Sequence, residues 1–559
     1  MYILNMANLQ KKISHGRAYW YIVEGRRIAG KPRPVVLAYL GSSARLIERL
    51  LGQEVAGRVR IKSFSHGAVA ALWRMAAAIG LLPILQRHLP GQRRDGLTVA
   101  ETLLLAAIQR AIHPGSKRSF AEWAQATTLP RLGHFVAQDL TSQHFWDQMA
   151  VVQEPALQAI EEEVVRKLVL ELKVPLDTLL YDATNFFTYL NSGNGRSQLC
   201  QRGWNKQKRM DLRQFSLAVV VSRAVFIPLL AAVYAGNISD PKSFAIHWQT
   251  ILARLTALGQ NLEDVTIVMD KGNYSTAIQA DLKVSRVHWV GSVANRYYPD
   301  LMAIPLQEFH PIELLGGRSV AAYRCRHTIL GQEMTVVMIM SENLRLAQQR
   351  GLDRALTQAL QRLAALKLAL QNVRSRRKEA SVAAAVKTIL AREHISELIR
   401  VTIGRHGNQV TLDYALAAGA YQHRREEVLG RKLLITDRED WGERAVIEAY
   451  YGLGQIERVF RQLKNPYHFA VRPQYHWTDQ HIRVHVFCCL LGFLLGGLLH
   501  RKVRQAGINV SMDELLRRLV AVREVIVSEK AAGRGKPRLR RQLEELSEKQ
   551  RKLYETSIS

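Results

Sequence analysis

Three acidic residues stand in an unusual sequence context. Asp182 follows the apolar run TLLY, Asp270 ends the run VTIVM, and Glu457 lies in the segment EAYYGLGQIERVFRQLK. A carboxylate at the end of a buried strand costs free energy unless it is paired or binds a cation. If the two strands lie side by side, the two aspartates repel each other, and a divalent metal would relieve that repulsion.

Such a cluster would suit magnesium, which binds a few carboxylates together with water and substrate phosphate. Two metal ions about 4 Å apart can activate water and stabilise a leaving oxygen in phosphoryl transfer. Each acid also has a plain structural interpretation. Asp182 could cap a turn with Thr184, and Asp270 could be an ordinary residue at a strand end. Glu457 could pair with Arg461, four residues later on a helix.

The elements that must position these acids follow a β-β-β-α-β-α-β order. The runs LDTLLYDATNFFTYL, FSLAVVVSRAVFIPLLAAVYAGN, DVTIVMDKGN and VHWVGSV predict five strands, the second run supplying two. Helices are predicted for DPKSFAIHWQTILARLTALG and STAIQADLKV. This order predicts a mixed α/β sheet flanked by helices. The helix around Glu457 is expected to pack through Val459, Phe460 and Leu463, with Glu457 on its buried side.

The composition indicates a polyanionic partner. The formal net charge is +30, from 78 basic and 48 acidic residues, and DNA or RNA is the usual partner of such a chain. A protein that is merely soluble and basic is the alternative. The hydrophobic share of 48% excludes global disorder.

Four cysteines without zinc-site spacing predict a reduced, cytosolic protein, and the N-terminus lacks the apolar core of a signal peptide. The long apolar run 484–499 is short for a membrane span and contains His485. It is therefore predicted to be a buried core helix, with no membrane association.

Changes in composition and in the spacing of apolar residues along the 559 residues predict six regions. Residues 1–63 form a small β-rich module, with two strands around a Gly-Lys-Pro turn, and residues 64–174 form a helical region that would bind DNA. Residues 175–295 and 441–500 form the two parts of the core. They are interrupted by an insertion, 296–440, with strands of its own and a long helix. Residues 501–559 form a basic helical tail, in which Lys530–Arg541 could be a DNA-binding arm or a solvated linker.

These motifs resemble those of the DDE transposases of the insertion-sequence-four group, which have an RNase H-like catalytic core. Members carry Tyr, two residues, Arg, three residues, Glu, six residues, Lys; Tyr450, Glu457 and Lys464 occupy those positions here. Leu453 stands at the Arg position, which leaves one expected phosphate contact unassigned. YDATNFF and VMDKGN resemble the motifs of the first and second acids, and QRGWNKQKRMDLRQFSLAVVV and AGNISDPKSF resemble connecting blocks. The resemblance covers residues 175–500 well and the N-terminal part loosely.

The resemblance implies that Asp182, Asp270 and Glu457 hold two Mg²⁺ ions, or Mn²⁺ in their place. It implies a bacterial cytoplasmic protein that associates with the nucleoid and binds the terminal inverted repeats of an insertion sequence. The protein would cleave DNA at those ends and join the freed 3′-hydroxyl to target DNA by cut-and-paste transposition. Pairing of two ends implies a homodimer on double-stranded DNA.

Candidate DNA contacts lie on both sides of the acids in the sequence. Separations of seven, four and three residues place Tyr450, Glu457, Arg461 and Lys464 on one helical face, and Arg472 follows as a further contact to the DNA backbone. The segment between the first two strands is also basic. It carries, beside Trp204, the candidates Arg202, Lys206, Arg209 and Arg213. A solvated hairpin is the alternative interpretation of this segment.

Two rival functions stay open at the level of sequence. One is an RNase H-like nuclease that cuts DNA without joining it, and a strand-transfer assay with precut ends would separate the two enzymes. The other is a domesticated transposase that only binds DNA. The three acids count against the second rival, because a binding protein has no need of three uncompensated carboxylates.

Overall fold

The computed structural model describes residues 7–14, 17–28, 31–43, 45–47, 60–224, 228–270, 276–372, 377–392, 394–407, 409–472, 474–529 and 538–559. The chain divides into two compact units. One comprises Met1–Met75, Lys117–Ser142 and Leu498–Ser559, and the other Ala76–Ser116 and Gln143–Gly497. All three predicted catalytic acids belong to the second unit.

The strands are numbered in chain order. They are β1 Ala7–Ser14, β2 Arg17–Ile28, β3 Lys31–Ser42, β4 Arg60–Ser65, β5 Arg93–Arg94, β6 Leu97–Thr98, β7 Thr178–Thr188, β8 Arg213–Ser222, β9 Pro228–Ala235, β10 Thr266–Met269, β11 His288–Val293, β12 His310–Leu314, β13 Arg318–Ile329, β14 Gln332–Met340, β15 Ile399–His406, β16 Gln409–Leu416, β17 Arg431–Thr436, β18 Arg523–Glu529 and β19 Arg538–Leu543.

The α-helices are named by their bounds. They are Gly67–Ala78, Leu81–His88, Val99–Ile112, Phe120–Gln125, Leu129–Leu132, Ser142–Ala150, Glu154–Leu172, Asp240–Ala257, Thr276–Ser285, Pro299–Met302, Glu342–Gln371, Glu379–Leu390, Ile395–Leu398, Ala418–His423, Glu443–Tyr451, Leu453–Leu463, Asp479–Gln505, Met512–Val520 and Glu548–Ile558.

The second unit is built on a nine-stranded mixed sheet with the order β12-β13-β14-β17-β11-β10-β7-β8-β9. β7, β8 and β9 form an antiparallel meander. β10 is parallel to β7, and β11 is parallel to β10. The helix Asp240–Ala257 lies between β9 and β10 in the chain, and Thr276–Ser285 lies between β10 and β11. The predicted mixed α/β sheet and its five strands are confirmed.

Helices cover both faces of this sheet. On one face, Tyr181 of β7 packs with Phe244 and Trp248 of the helix Asp240–Ala257 in a large apolar cluster. The helices Glu443–Tyr451 and Leu453–Leu463 lie on the other face. All four residues of β10 are buried, as an apolar strand covered on both sides should be.

The segment 296–440 is predicted from the sequence to be an insertion whose strands form a separate structure. Most of its strands instead join the central sheet. β14 pairs with β17, and β17 pairs with β11, so β12, β13, β14 and β17 extend the central sheet. Backbone donors and acceptors at a sheet edge are satisfied by further strands, and sequence patterns do not reveal which edge a strand will join. Residues 352–429 form a separate apolar core, in which the helices Glu342–Gln371 and Glu379–Leu390 pack with the β15–β16 hairpin.

The first unit joins the beginning and the end of the chain. β4 pairs with β18, and β18 pairs with β19. The predicted helical tail holds two helices, Met512–Val520 and Glu548–Ile558, but it also holds β18 and β19. REVIVSE forms a strand because it pairs with β4, which lies more than 450 residues away in the chain. Residues 530–537 of the basic run lie outside the described residues. The predicted helical region 64–174 is also divided, since Lys117–Ser142 belongs to this unit and its remainder mostly to the other.

The helix Asp479–Gln505 contains the long apolar run. It is long and apolar enough to cross a membrane, but 83% of its most apolar window is buried within the protein. Burial of this kind is what a core helix requires, as predicted.

Candidate active site

Asp182 and Asp270 are neighbours on the central sheet. β7 and β10 run parallel, with Leu180 opposite Val268 and Tyr181 opposite Met269. The next step of this register sets Asp270 beside Asp182 on the same face, since side chains alternate along a strand. Both aspartates are half-buried. The expectation that the two strands lie side by side is confirmed.

Tyr450 faces these aspartates from the helix Glu443–Tyr451. It is only 5% exposed, and its hydroxyl donates to Asp270 Oδ1 at 2.8 Å. The hydroxyl of buried Ser292, on β11, lies 2.9 Å from the Tyr450 oxygen. Burial raises the pKa of Tyr450, and the charges of Asp270 and Asp182 raise it further, against the hydrogen bond with Ser292. The phenol thus stays protonated and serves as a hydrogen-bond donor.

This position differs from the DNA contact predicted for Tyr450. The ring is buried, and the hydroxyl is committed to a carboxylate rather than presented to solvent. Lys432 of β17 also lies here, with its ammonium 4.2 Å from the centre of the Tyr450 ring.

The helix Leu453–Leu463 packs on the sheet through four buried residues, Ile456, Val459, Phe460 and Leu463. Three of these are the predicted anchors. Glu457 and Arg461 are exposed, so the expectation that Glu457 faces the buried side is wrong. The buried stripe follows helical spacing, and position 457 is rotated about 100° beyond Ile456, at the edge of that stripe.

Glu457 therefore does not join the two aspartates in this arrangement. Among the residues that the structure describes, no three histidine, cysteine, aspartate or glutamate side chains form a group that could hold a metal ion. Glu457 does share its side of the helix with Lys464, seven residues on.

The predicted single helix is interrupted at Gly452, which separates Glu443–Tyr451 from Leu453–Leu463. A Cβ atom at this position would lie 2.8 Å from the Ala449 carbonyl oxygen and 3.1 Å from Leu180 Cδ2 of β7. Glycine thus permits the junction of the two helices to approach the strand that carries Asp182.

Lys464 reaches the strand of Asp182 from the end of its helix. Its ammonium donates to Thr184 Oγ1 and lies 5.3 Å from the centre of the Phe186 ring. Thr184 and Phe186 share the Asp182 face of β7, because side chains two residues apart point the same way. Lys464 is thereby fixed close to the first aspartate.

Two further basic residues lie near this lysine. The pKa of Lys464 is lowered to about 8, chiefly by burial and also by the charges of Arg472 and Lys206, while the charge of Asp182 opposes the shift. Arg472 is half-buried and Lys206 is exposed. The fold therefore brings together three predicted DNA contacts from separate segments.

The segment that carries Arg472 is anchored on the helix Val99–Ile112, which begins with a capping box of Thr98 and Glu101. The backbone N–H of Phe469 donates to the Arg110 carbonyl oxygen at 2.7 Å, and the buried Arg110 guanidinium donates to the Ala470 carbonyl oxygen. These bonds hold the segment that follows Lys464 in one place.

The basic loop between β7 and β8 is anchored by Asp479. This carboxylate accepts from the Ser197 hydroxyl at 2.6 Å and from the backbone N–H groups of Gln198 and Leu199 at 3.0 and 3.1 Å. A carboxylate at the start of the helix Asp479–Gln505 thus fixes the base of the loop.

The remaining predicted contacts of this loop form hydrogen bonds within the protein. Arg209 makes a paired contact with the Asp211 carboxylate, at 2.8 and 2.7 Å, and Arg213 donates to the Asn194 carbonyl oxygen at 2.7 Å. Exposed Arg202 donates to the Ser192 hydroxyl, and the Trp204 ring is 74% exposed.

Sequence reasoning did not single out Ser292 or Lys432, and it gave Thr184 only a capping role. A usable signal existed for Ser292, a polar residue in a strand next to β10. Once β11 is placed beside β10, with Val290 opposite Val268, Ser292 is level with Asp270. No comparable signal marks Lys432.

Comparison with known proteins adds little to this geometry. No protein-family model matches the chain, and no curated protein matches it. Among solved structures, it is similar to a piggyBac transposase in a synaptic complex with hairpin DNA, determined by cryo-electron microscopy. The TM-score is 0.33 and the identity 9%, over 81% of this chain and 78% of that chain. A similarity of this size carries no argument about the site.

Proposed function

We propose that this protein is a DDE transposase of an insertion sequence. It binds terminal inverted repeats, cleaves DNA at the ends and joins the 3′-hydroxyl to target DNA, acting as a homodimer on DNA. The observation that carries the proposal is the pairing of Asp182 and Asp270 on adjacent parallel strands, both facing the Tyr450 hydroxyl. The β-β-β-α-β-α-β order around them supports an RNase H-like core.

The two aspartates fit a divalent cation, because they lie side by side on adjacent strands and Mg²⁺ prefers oxygen ligands. Asp182 and Asp270 would hold the metal, and Glu457 would have to join them when DNA and metal are bound. A bound Mg²⁺ supplies charge stabilisation at phosphorus and a more acidic water. Tyr450 keeps Asp270 oriented by donating to one carboxylate oxygen.

The basic residues beside Asp182 supply the DNA-binding part of the proposal. Lys464 lies close enough to Lys206, Arg472 and Asp182 to feel their charges, so a phosphate of the DNA end would bind beside Asp182 by charge. Lys464 is held by Thr184 before DNA arrives, which reduces the entropy lost on binding.

This arrangement predicts that DNA binding weakens as the pH rises through about 8. The folded pKa of Lys464 is about 8, so its ammonium is charged below that pH and neutral above it. Because the charged form binds phosphate, we expect affinity for a DNA end to fall about tenfold between pH 7 and pH 9. Fluorescence anisotropy with labelled duplex measures this change. The Lys464→Gln variant should bind weakly at both values, and a profile as steep as that of the unaltered protein would remove Lys464 from the interface.

Removing the Tyr450 hydroxyl should weaken the metal site. The Tyr450→Phe substitution keeps the buried ring but deletes the donor to Asp270, and loss of such an outer partner typically costs 10- to 100-fold in metal affinity or activity. Calorimetric titration with Mn²⁺ measures the change. Tyr451→Phe is the matched control, because the Tyr451 hydroxyl bonds with Ser341 instead. Equal affinities for the two variants would show that Tyr450 does not position Asp270.

The function itself is tested with purified full-length protein and labelled DNA from both boundaries of the element. With Mg²⁺, we expect cleavage at the ends and joining of precut 3′-hydroxyl ends to a target plasmid, and neither reaction in the presence of EDTA. Cleavage without joining would favour a nuclease. Binding without either reaction would leave only a DNA-binding protein.

A further inference from the structure

The antiparallel sheet β1–β2–β3 carries an excess of positive charge that the proposed catalytic site does not use. Residues 7–43 contain one acid, Glu24, and seven basic residues: Lys11, Lys12, Arg17, Arg26, Arg27, Lys31 and Arg33. Every residue of β1 is exposed. A small basic sheet of this kind attracts a polyanion.

One face of this sheet, here called the tyrosine face, consists of Lys12, Gln10, Tyr19, Tyr21 and Tyr39. Cross-strand partners share a face, and Lys12 lies opposite Tyr19, Gln10 opposite Tyr21, and Tyr21 opposite Tyr39. The Tyr21 and Tyr39 ring centres are 5.0 Å apart, and the Lys12 ammonium is 5.4 Å from the centre of the Tyr21 ring. The tyrosine face therefore carries aromatic rings, an amide and a cation next to one another.

The opposite face has another character. Leu9 lies opposite Ile22, and Lys11 opposite Trp20, so this face is largely apolar. Glu24 also belongs to this face and forms an ion pair with Arg26 at 2.5 Å. The single acid of the sheet is therefore directed away from the tyrosine face, which is left without negative charge of its own.

We propose that the tyrosine face is a binding surface for duplex DNA. Lys12 would contact a backbone phosphate, while the tyrosine rings and Gln10 would lie against the sugar and base edges of a groove. A small β-sheet fits the width of the major groove, and phosphate contacts fix its register there. The inference rests on the proposed function and gives the transposase a second DNA contact, separate from the helical region expected to bind DNA.

Duplex DNA is a better occupant than a second copy of this chain. A second copy would bring the same basic surface against itself, and like charges repel. Pairing through β3, at one edge of the sheet, is also hindered, because Pro32 and Pro34 lack backbone donors.

The test exploits two neighbouring lysines that point to opposite faces. Lys11 and Lys12 are both exposed, lie on the same strand and carry the same charge, but only Lys12 belongs to the tyrosine face. Full-length protein with Lys12→Ala should bind a duplex from the end of the element about fivefold more weakly at 0.1 M salt, with a salt slope smaller by about 1. Full-length Lys11→Ala should bind like the unaltered protein. Binding is measured in EDTA, so that cleavage plays no part.

Each possible result supports or rejects the tyrosine face as a DNA-binding surface. Equal weakening by both variants would mean that only overall charge matters, and no weakening by either would mean that DNA does not occupy this face. Both results overturn the inference, as would a Lys12→Ala variant that alters only the dimerisation measured by light scattering. If DNA binding depends on Lys12 but the protein does not cleave DNA with Mg²⁺, the proposed enzyme function is rejected, whereas the tyrosine face is still supported as a DNA-binding surface.

Discussion

Asp182→Asn and Asp270→Asn should each lower the rate of DNA cleavage by about 10³-fold or more. A bound metal stabilises the transition state by several kcal/mol, and each 1.4 kcal/mol corresponds to about a factor of ten in rate. Asparagine keeps the size of the side chain but removes the charge that a cation requires. Because both aspartates are half-buried rather than part of the apolar core, we expect thermal unfolding and binding of DNA ends to change little.

The same strands supply matched controls for these substitutions. Asp177 immediately precedes β7 and Asp264 closely precedes β10, so both lie at the other end of the sheet, and both are exposed. Asp177→Asn and Asp264→Asn should leave cleavage unchanged. The rate constants come from single-turnover assays with labelled ends. Cleavage at the unaltered rate by either Asp182→Asn or Asp270→Asn would remove that residue from the metal site.

Glu457→Gln should also lower the rate of DNA cleavage by about 10²-fold or more, although the carboxylate is exposed in this structure. The proposal requires Glu457 to meet the aspartates when metal and DNA are bound, so its charge would act only in the complex. Binding of Mn²⁺ without DNA should therefore change little in this variant, whereas it should be weakened strongly in Asp182→Asn. This contrast separates a late-joining ligand from a permanent one.

Glu443→Gln is a suitable control, because Glu443 begins the preceding helix and is expected to take no part in the reaction. Glu457→Asp tests reach, since it keeps the charge on a side chain shorter by one methylene. If Glu457→Gln cleaves DNA as fast as the Glu443→Gln control, the site consists of the two aspartates without a third acid.

Much of the central sheet could be predicted from the sequence. Short apolar runs such as that of β10 favour buried strands, and Asp270 directly follows its strand, whereas β7 continues past Asp182 to Thr188. A helix before β10 favours a parallel pairing of that strand, and β10 does run parallel to β7, which sets Asp182 and Asp270 side by side. The pair was therefore within reach of sequence reasoning.

The exposure of Glu457 was harder to predict. Position 457 lies at the boundary of the apolar stripe, where a rotation of one residue decides between burial and solvent.

Long-range pairing was beyond local patterns. The segment REVIVSE forms a strand by pairing with β4. No local sequence pattern near either segment indicates that the two would pair. The same holds for the Tyr450–Asp270 bond, which joins residues 180 positions apart. Resemblance to a family signature placed Tyr450 near the site but gave it a different partner.

The most direct test of the account is to locate the metal. Crystals of the full chain with a DNA end and Mn²⁺ would give anomalous scattering peaks at each bound ion. If the proposed site is correct, a peak will lie about 2.1 Å from carboxylate oxygens of both Asp182 and Asp270, with a Glu457 oxygen bound to a metal of the same site. A Mn²⁺ ion bound elsewhere on a complex competent for cleavage, with neither aspartate as a ligand, would contradict it.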